Sequence, residues 1–244
     1  SMESLQQEHD AVLLTIGLQF GRSTRIPGAD HEAVHSAVDL LRRITLEEPV
    51  TVPESAVVIG GGNVAMDIAR SLARLQIREH GRASVTLTAL EDAGHMLADP
   101  VEIRETHEEG ISILPGRGPK ECRLNGDGRL EGLVTVKVLS IFDESGRFAP
   151  RYDESDMQLH EAQMVIEAIG QMADTTLLGV ELTERLEWNR GRLQVDDGGR
   201  TSEAWLWAAG DMVNGPDVIH AVADGHRVAA SIETYLAETV EAAP

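Results

Sequence analysis

The feature that most constrains this chain is a run of three glycines, Gly60-Gly61-Gly62. It stands between an apolar β run, Ala56–Ile59, and a segment in which Val64, Ile68, Leu72 and Leu75 recur at helical spacing. Gly81 closes that segment, and Ser84–Leu90 is a second apolar strand. Strand, glycine turn, helix and strand make a βαβ unit, whose crossover is right-handed. The turn reads Gly60-Gly61-Gly62-Asn63-Val64-Ala65 and fits G-x-G-x-x-A. Gly60 permits the tight exit from the strand, Gly62 lets a pyrophosphate approach the backbone, and Ala65 lets helix and strand pack closely. The phosphates then meet N–H groups at the positive end of the helix. These six residues are the candidate dinucleotide-binding set.

Glu91 follows the second strand. An acidic residue there accepts both ribose hydroxyls of NAD and repels the extra phosphate of NADP. The distance from Gly62 to Glu91 exceeds the usual spacing of about 20 residues, and Asp92 is the rival for the role. On these residues NADH is the expected coenzyme.

Charge and composition remove other classes. Acidic residues number 41 against 21 basic ones, a net charge of −20 that repels nucleic acid and anionic membranes. Cys122 is the one cysteine, which rules out an internal disulfide, a Cys-x-x-Cys pair and an iron–sulfur cluster held by this chain alone, and makes the cytoplasm the expected compartment. No apolar run reaches the roughly 18 residues of a spanning helix. The nine histidines show no metal-ligand spacing, and no nucleophile motif is present, so no metal ligand and no catalytic acid, base or nucleophile is assigned. Ser1 before Met2 has the look of an expression scar, which leaves an upstream extension of the natural protein open.

The remaining pattern gives a strand at Asp10–Gly17, a helix over Ala33–Ile44 and a connector from Pro49 to Ser55. A helix at Pro100–Glu109 and a strand at Ile111–Leu114 follow. Between Pro119 and Tyr152 the pattern turns to alternation, with turn signals at Asn125-Gly126 and Glu144-Ser145-Gly146, which predicts an antiparallel insert. Met164–Ile169 is a buried strand ending at Gly170. Leu193–Val195 and Trp205–Ala209 are short strands, and the latter runs into Gly210-Asp211. Val218, Val222, Ala229, Ile232 and Leu236 then predict one stripe of a closing helix.

Taken in order, these segments resemble the glutamate synthase small-subunit-like flavoproteins of the pyridine nucleotide–disulfide oxidoreductase superfamily. Val57–Arg70 looks like their nicotinamide-nucleotide motif. Met164–Gln171 is similar to the strand closing their NAD(P) domain, Ala208–Asp211 with the following helix to their C-terminal flavin segment, and Asp10–Gly17 to the last strand of their first flavin half. The resemblance implies an α/β fold, with a Rossmann-like NAD(P)-binding domain at 53–170 carrying the antiparallel insert. That domain is inserted in an incomplete FAD-binding domain made of 1–52 and 171–244. It adds Gly170, Gly210 and Asp211 to the cofactor-binding candidates. It also implies a parent protein that passes electrons from NADH through FAD to an iron–sulfur domain or subunit. Three departures stand out. No glycine turn precedes Asp10, so this chain alone is expected to carry no FAD. Leu90-Glu91 stands where NADPH-using relatives carry an arginine pair. The Gly215–Val218 loop is a residue shorter. The alternative reading is a non-catalytic nucleotide-binding module that docks on a partner subunit, and strands lacking sheet neighbours make a homodimer a candidate assembly.

Overall fold

The computed structural model describes residues 1–215 and 217–241; Pro216, in the loop read as shortened, lies outside them. The chain divides into two compact units. One is Gly21–Gly170; the other joins Ser1–Phe20 to the chain from Gln171 onward. The mixed α/β fold expected from the sequence is present.

In the Gly21–Gly170 unit, five parallel strands lie in the order Val34–Ser36, Met164–Glu167, Ala56–Ile59, Val85–Thr88, Ser112–Leu114. Ala56–Ile59 is buried at every residue because it is central and covered on both faces, which is why it reads as an unbroken apolar run. One face packs on helices. Ala65, Met66, Ile68, Ala69, Leu72 and Ala73 of the Asn63–His80 helix meet Ala56, Val58, Leu87 and Ile166. Alanines let that helix come close, and each fully buried Ile or Leu side chain contributes about 1.5–3 kcal/mol.

The opposite face is covered by the insert. Val57, Ile59 and Val165 pack with Cys122, Leu133 and Ala162. The insert is an antiparallel sheet of Arg117–Leu124, Leu130–Phe142 and Phe148–Glu161, as the alternation predicts, although its last strand runs nine residues past Tyr152. Asn125 and Asp143 build its two turns: each side-chain oxygen accepts amides two and four residues on.

The structure corrects two elements. Val34–Ser36 is a strand, and the helix is Ala37–Thr45 with Ser36 at its N-cap. Val34, Val38 and Leu41 mimic one helical stripe, yet Val34 lies beside the last sheet strand, out of reach of local pattern. The closing helix, Val218–Glu241, buries Asp224 and Val228, with Ile232 and Tyr235 partly covered; Val218 and Val222 of the predicted stripe are 76% and 55% exposed. The buried stripe runs instead through Asp224, Val228, Ile232 and Tyr235. In the unit made of Ser1–Phe20 and the chain from Gln171 onward, Val12–Leu14 pairs in parallel with Leu206–Ala208. Their apolar cluster includes Met2 from a short helix, Met2–Glu8, that the sequence reading did not foresee. Among the described residues no helix is long and apolar enough to cross a membrane.

Cys122 is buried in the cluster under the insert. Burial, with the nearby Glu167 and Glu121 charges, pushes its thiol up to about 11, so the nucleophilic thiolate is absent at neutral pH. Cys122→Ser is expected to lower stability, by about 1–3 kcal/mol for the hydroxyl set among apolar neighbours. Nucleotide affinity should stay within about threefold. Thermal melting and calorimetric titration separate the two, and a larger loss of affinity would give the thiol a role in binding.

Candidate functional site

The glycine turn sits where the central strand meets its helix. Gly60 donates its N–H to the Thr88 carbonyl at 2.8 Å and has φ +146°; a Cβ there would stand 2.3 Å from the Ala168 carbonyl oxygen. The neighbouring strand end is therefore packed against this glycine. The Gly61 carbonyl accepts the Ala98 N–H at 2.9 Å. Gly62 is the helix N-cap; its carbonyl accepts the Ala65 and Met66 amides, and a Cβ on it would meet no atom within 4 Å. Asn63 and Val64 open the helix, where first-turn N–H groups have no intrahelical acceptor. Ala65 is fully buried against the sheet. Bare backbone facing open space at a helix N-terminus is a cradle for an anion.

The structure separates the two acidic rivals. The Glu91 carboxylate lies beside the turn: a Cβ on Gly61 would be 2.7 Å from its Oε2. Asp92 is occupied in its own turn, accepting from the Gly94 amide at 2.9 Å and paired with the His95 Nδ1 at 2.8 Å, and these bonds hold its carboxyl below the usual range. The Asn63 side chain points neither way; its Oδ1 accepts the Asp99 N–H at 2.7 Å. Gly170, at φ +103°, follows the adjacent strand end, and its carbonyl accepts the Arg22 amide at 2.9 Å.

Two features here escaped the sequence reading. Glu167 is a buried carboxylate at the end of an otherwise apolar strand. It accepts from the Thr24 N–H at 2.7 Å, the Thr24 hydroxyl at 2.5 Å and the Ser23 hydroxyl at 3.3 Å, which ties the Ser23–Thr24 loop to the sheet. A charge inside an apolar strand was the available signal; its partners, 143 and 144 residues away, gave none. Arg70, on the turn's helix, pairs with Glu102 (2.7 Å), Glu105 (2.7 Å) and Glu109 (2.8 Å) and clamps the Pro100–Glu108 helix alongside. Among the described residues no cluster of His, Cys, Asp and Glu fits a metal.

Gly210 and Asp211 belong to the other unit. Gly210, at φ +73°, follows the Leu206–Ala208 strand and donates its N–H to the buried Asp224 carboxylate at 3.1 Å; Arg227 pairs with the same carboxylate at 2.8 Å. Burial works to raise the Asp224 carboxyl, and these two bonds outweigh it. The Asp211 carbonyl accepts from Arg192, which anchors the turn.

Comparison with known proteins gives the family. The chain is 32% identical over 238 residues to the NAD-dependent dihydropyrimidine dehydrogenase subunit PreT of Escherichia coli (strain K12), covering 97% of this chain and 50% of that one. It is 28% identical over 257 residues to the glutamate synthase [NADPH] small chain of Azospirillum brasilense, covering 99% and 52%. The chain thus spans about half the length of these relatives. Among solved structures, FprA from Mycobacterium tuberculosis has the same fold, with a TM-score of 0.80 at 19% identity over 99% of this chain and 67% of that one. The profile described as pyridine nucleotide-disulphide oxidoreductase matches residues 3–225, and with that match over most of its length the chain belongs to the pyridine nucleotide-disulphide oxidoreductase family.

Proposed function

We propose that this chain binds NADH at the Gly60–Ala65 turn. Its parent protein is a flavoprotein oxidoreductase that passes electrons from NADH through FAD to an iron–sulfur domain or subunit. The turn fits a dinucleotide: Gly62 faces open space, and the Asn63 and Val64 amides stand at the helix N-terminus. Gly170, on the neighbouring strand end, borders the same site, and Gly210 and Asp211 are the contribution of the other unit to FAD. The flavin, when bound, supplies the electron-transfer chemistry. The residues of this chain orient the nicotinamide dinucleotide and select it.

One observation carries the coenzyme preference: the Glu91 carboxylate beside Gly61, flanked by Leu90 and Asp92 and by no arginine. The relatives are named for NAD in one case and NADPH in another, so this residue is what supports NADH. A 2′-phosphate against that carboxylate costs on the order of 1–3 kcal/mol, about ten- to a hundredfold in affinity. Calorimetric titration of the wild type and of Glu91→Arg with both nucleotides tests it. NADH should bind the wild type more tightly, and the variant should lose that preference. Equal binding by the wild type, or an unchanged ratio in Glu91→Arg, rejects the reading.

The exposed apolar residues Val218 and Ile219 at the start of the closing helix favour a second reading, a non-catalytic module that presents this face to a partner subunit. NADH-to-dye turnover with excess FAD present supports the oxidoreductase; nucleotide binding without turnover supports the module.

A further inference from the structure

Asn63 stands at a position where its residue type is a poor local choice. Asn inside a helix competes with the backbone and favours caps, yet here the cap is Gly62 and Asn63 is the first helical residue. Its side chain is engaged elsewhere. Only Oδ1 can accept from the Asp99 N–H, so the 2.7 Å bond fixes the orientation of the amide. One residue earlier, the Ala98 N–H reaches the Gly61 carbonyl. Together these bonds sew the end of the Glu91–Asp99 segment onto the glycine turn.

The other end of the segment is tied as well. The Glu91 carbonyl accepts the Gly116 amide at 2.8 Å, and the Asp92–His95 turn closes on itself. Met96 packs on the core of the unit, while Leu97 is 75% exposed. The segment is a strap with both ends bonded, and Glu91 is its first residue.

We infer that Asn63 is a positioning residue for coenzyme selectivity: by holding the Asp99 amide it keeps the strap closed and the Glu91 carboxylate fixed beside Gly61. The inference rests on the reading that the adenosine end of the dinucleotide lies at this turn. Kept beside Gly61, the carboxylate offers NADH two acceptors for its ribose hydroxyls and meets the 2′-phosphate of NADPH with like charge. A loosened strap loses both effects, so selectivity falls together with affinity.

The test compares the full chain with Asn63→Ala and Asn63→Asp. Three quantities are read: NADH affinity, NADPH affinity, and hydrogen exchange of the peptide spanning 92–99 without nucleotide. In Asn63→Ala, NADH should weaken about three- to tenfold, with NADPH little changed, the ratio reduced and the peptide exchanging faster. Asn63→Asp keeps the acceptor oxygen. Its charge weakens both nucleotides through their common pyrophosphate, and the ratio and the slow exchange should remain. A helix-stability role alone would not move the ratio. If Asn63→Ala weakens both nucleotides alike, or leaves exchange of 92–99 unchanged, the inference is overturned. A wild type that binds neither nucleotide overturns the reading of the turn instead, and the exchange measurement then judges the strap alone.

Discussion

Gly60→Ala is expected to destabilise the Gly21–Gly170 unit strongly, while Gly62→Ala leaves it folded and weakens nucleotide binding. The two glycines lie two residues apart and are needed for different reasons. At Gly60, φ +146° is a conformation that costs an L side chain about 1–3 kcal/mol. The new Cβ would also overlap a backbone oxygen, that of Ala168, at 2.3 Å, and a paired strand end cannot move aside cheaply. A total of about 3 kcal/mol or more is a large part of the stability of an ordinary domain. At Gly62, φ −98° and ψ 176° suit any residue, and a Cβ meets nothing. The methyl group would instead occupy the approach of the pyrophosphate and lower NADH affinity tenfold or more, about 1.4 kcal/mol. Thermal melting and titration of both variants decide it. A stable Gly60→Ala, or a Gly62→Ala that binds as the wild type does, would reject this division of labour.

The 244-residue chain purified alone is expected to hold no FAD. A dinucleotide fold grips FAD chiefly through the pyrophosphate at its first βαβ turn, with a later strand end touching the middle of the molecule. Here the strand Val12–Leu14 follows the helix Met2–Glu8, and the first glycine is Gly17, so these 244 residues supply no glycine turn ahead of that strand. The strand end that would make the later contact is Gly210-Asp211, and its Gly210 amide is given to Asp224. An absorption spectrum after incubation with excess FAD and desalting is the measurement. A near-stoichiometric flavin band would show that Gly210, Asp211 and their neighbours suffice.

What could be read from the sequence followed from whether local pattern and tertiary environment agree. At Ala56–Leu90 they agree: the turn needs small residues, the central strand needs apolar ones, and both demands are written locally. The antiparallel insert was legible for the same reason, since Asn125 and Asp143 make their turns with their own side chains. The misread elements depend on distant partners. Val34–Ser36 is a strand because Val165–Glu167 lies beside it. Asp224 is buried because the Gly210 amide needs an acceptor. Glu167 is tolerated because Ser23 and Thr24 fold onto it. Glu91 was chosen over its neighbour Asp92 on paper; the bonds that occupy Asp92 in the Asp92–His95 turn could not be read there.

The order of strands in the five-stranded sheet bears on how the protein is made. Met164–Glu167, the last of the five to leave the ribosome, is wedged between Val34–Ser36 and Ala56–Ile59. Until it emerges, the facing edges of two earlier strands have no neighbour. The wait after Ile59 is roughly a hundred residues, about 5–20 s at ordinary elongation rates. Throughout that interval the nascent chain presents Val57 and Ile59 beside an open backbone edge, the kind of surface on which chaperones act and aggregates nucleate. Closure by so late a strand also joins residues far apart in sequence, which places the unit among the slower folders of its size.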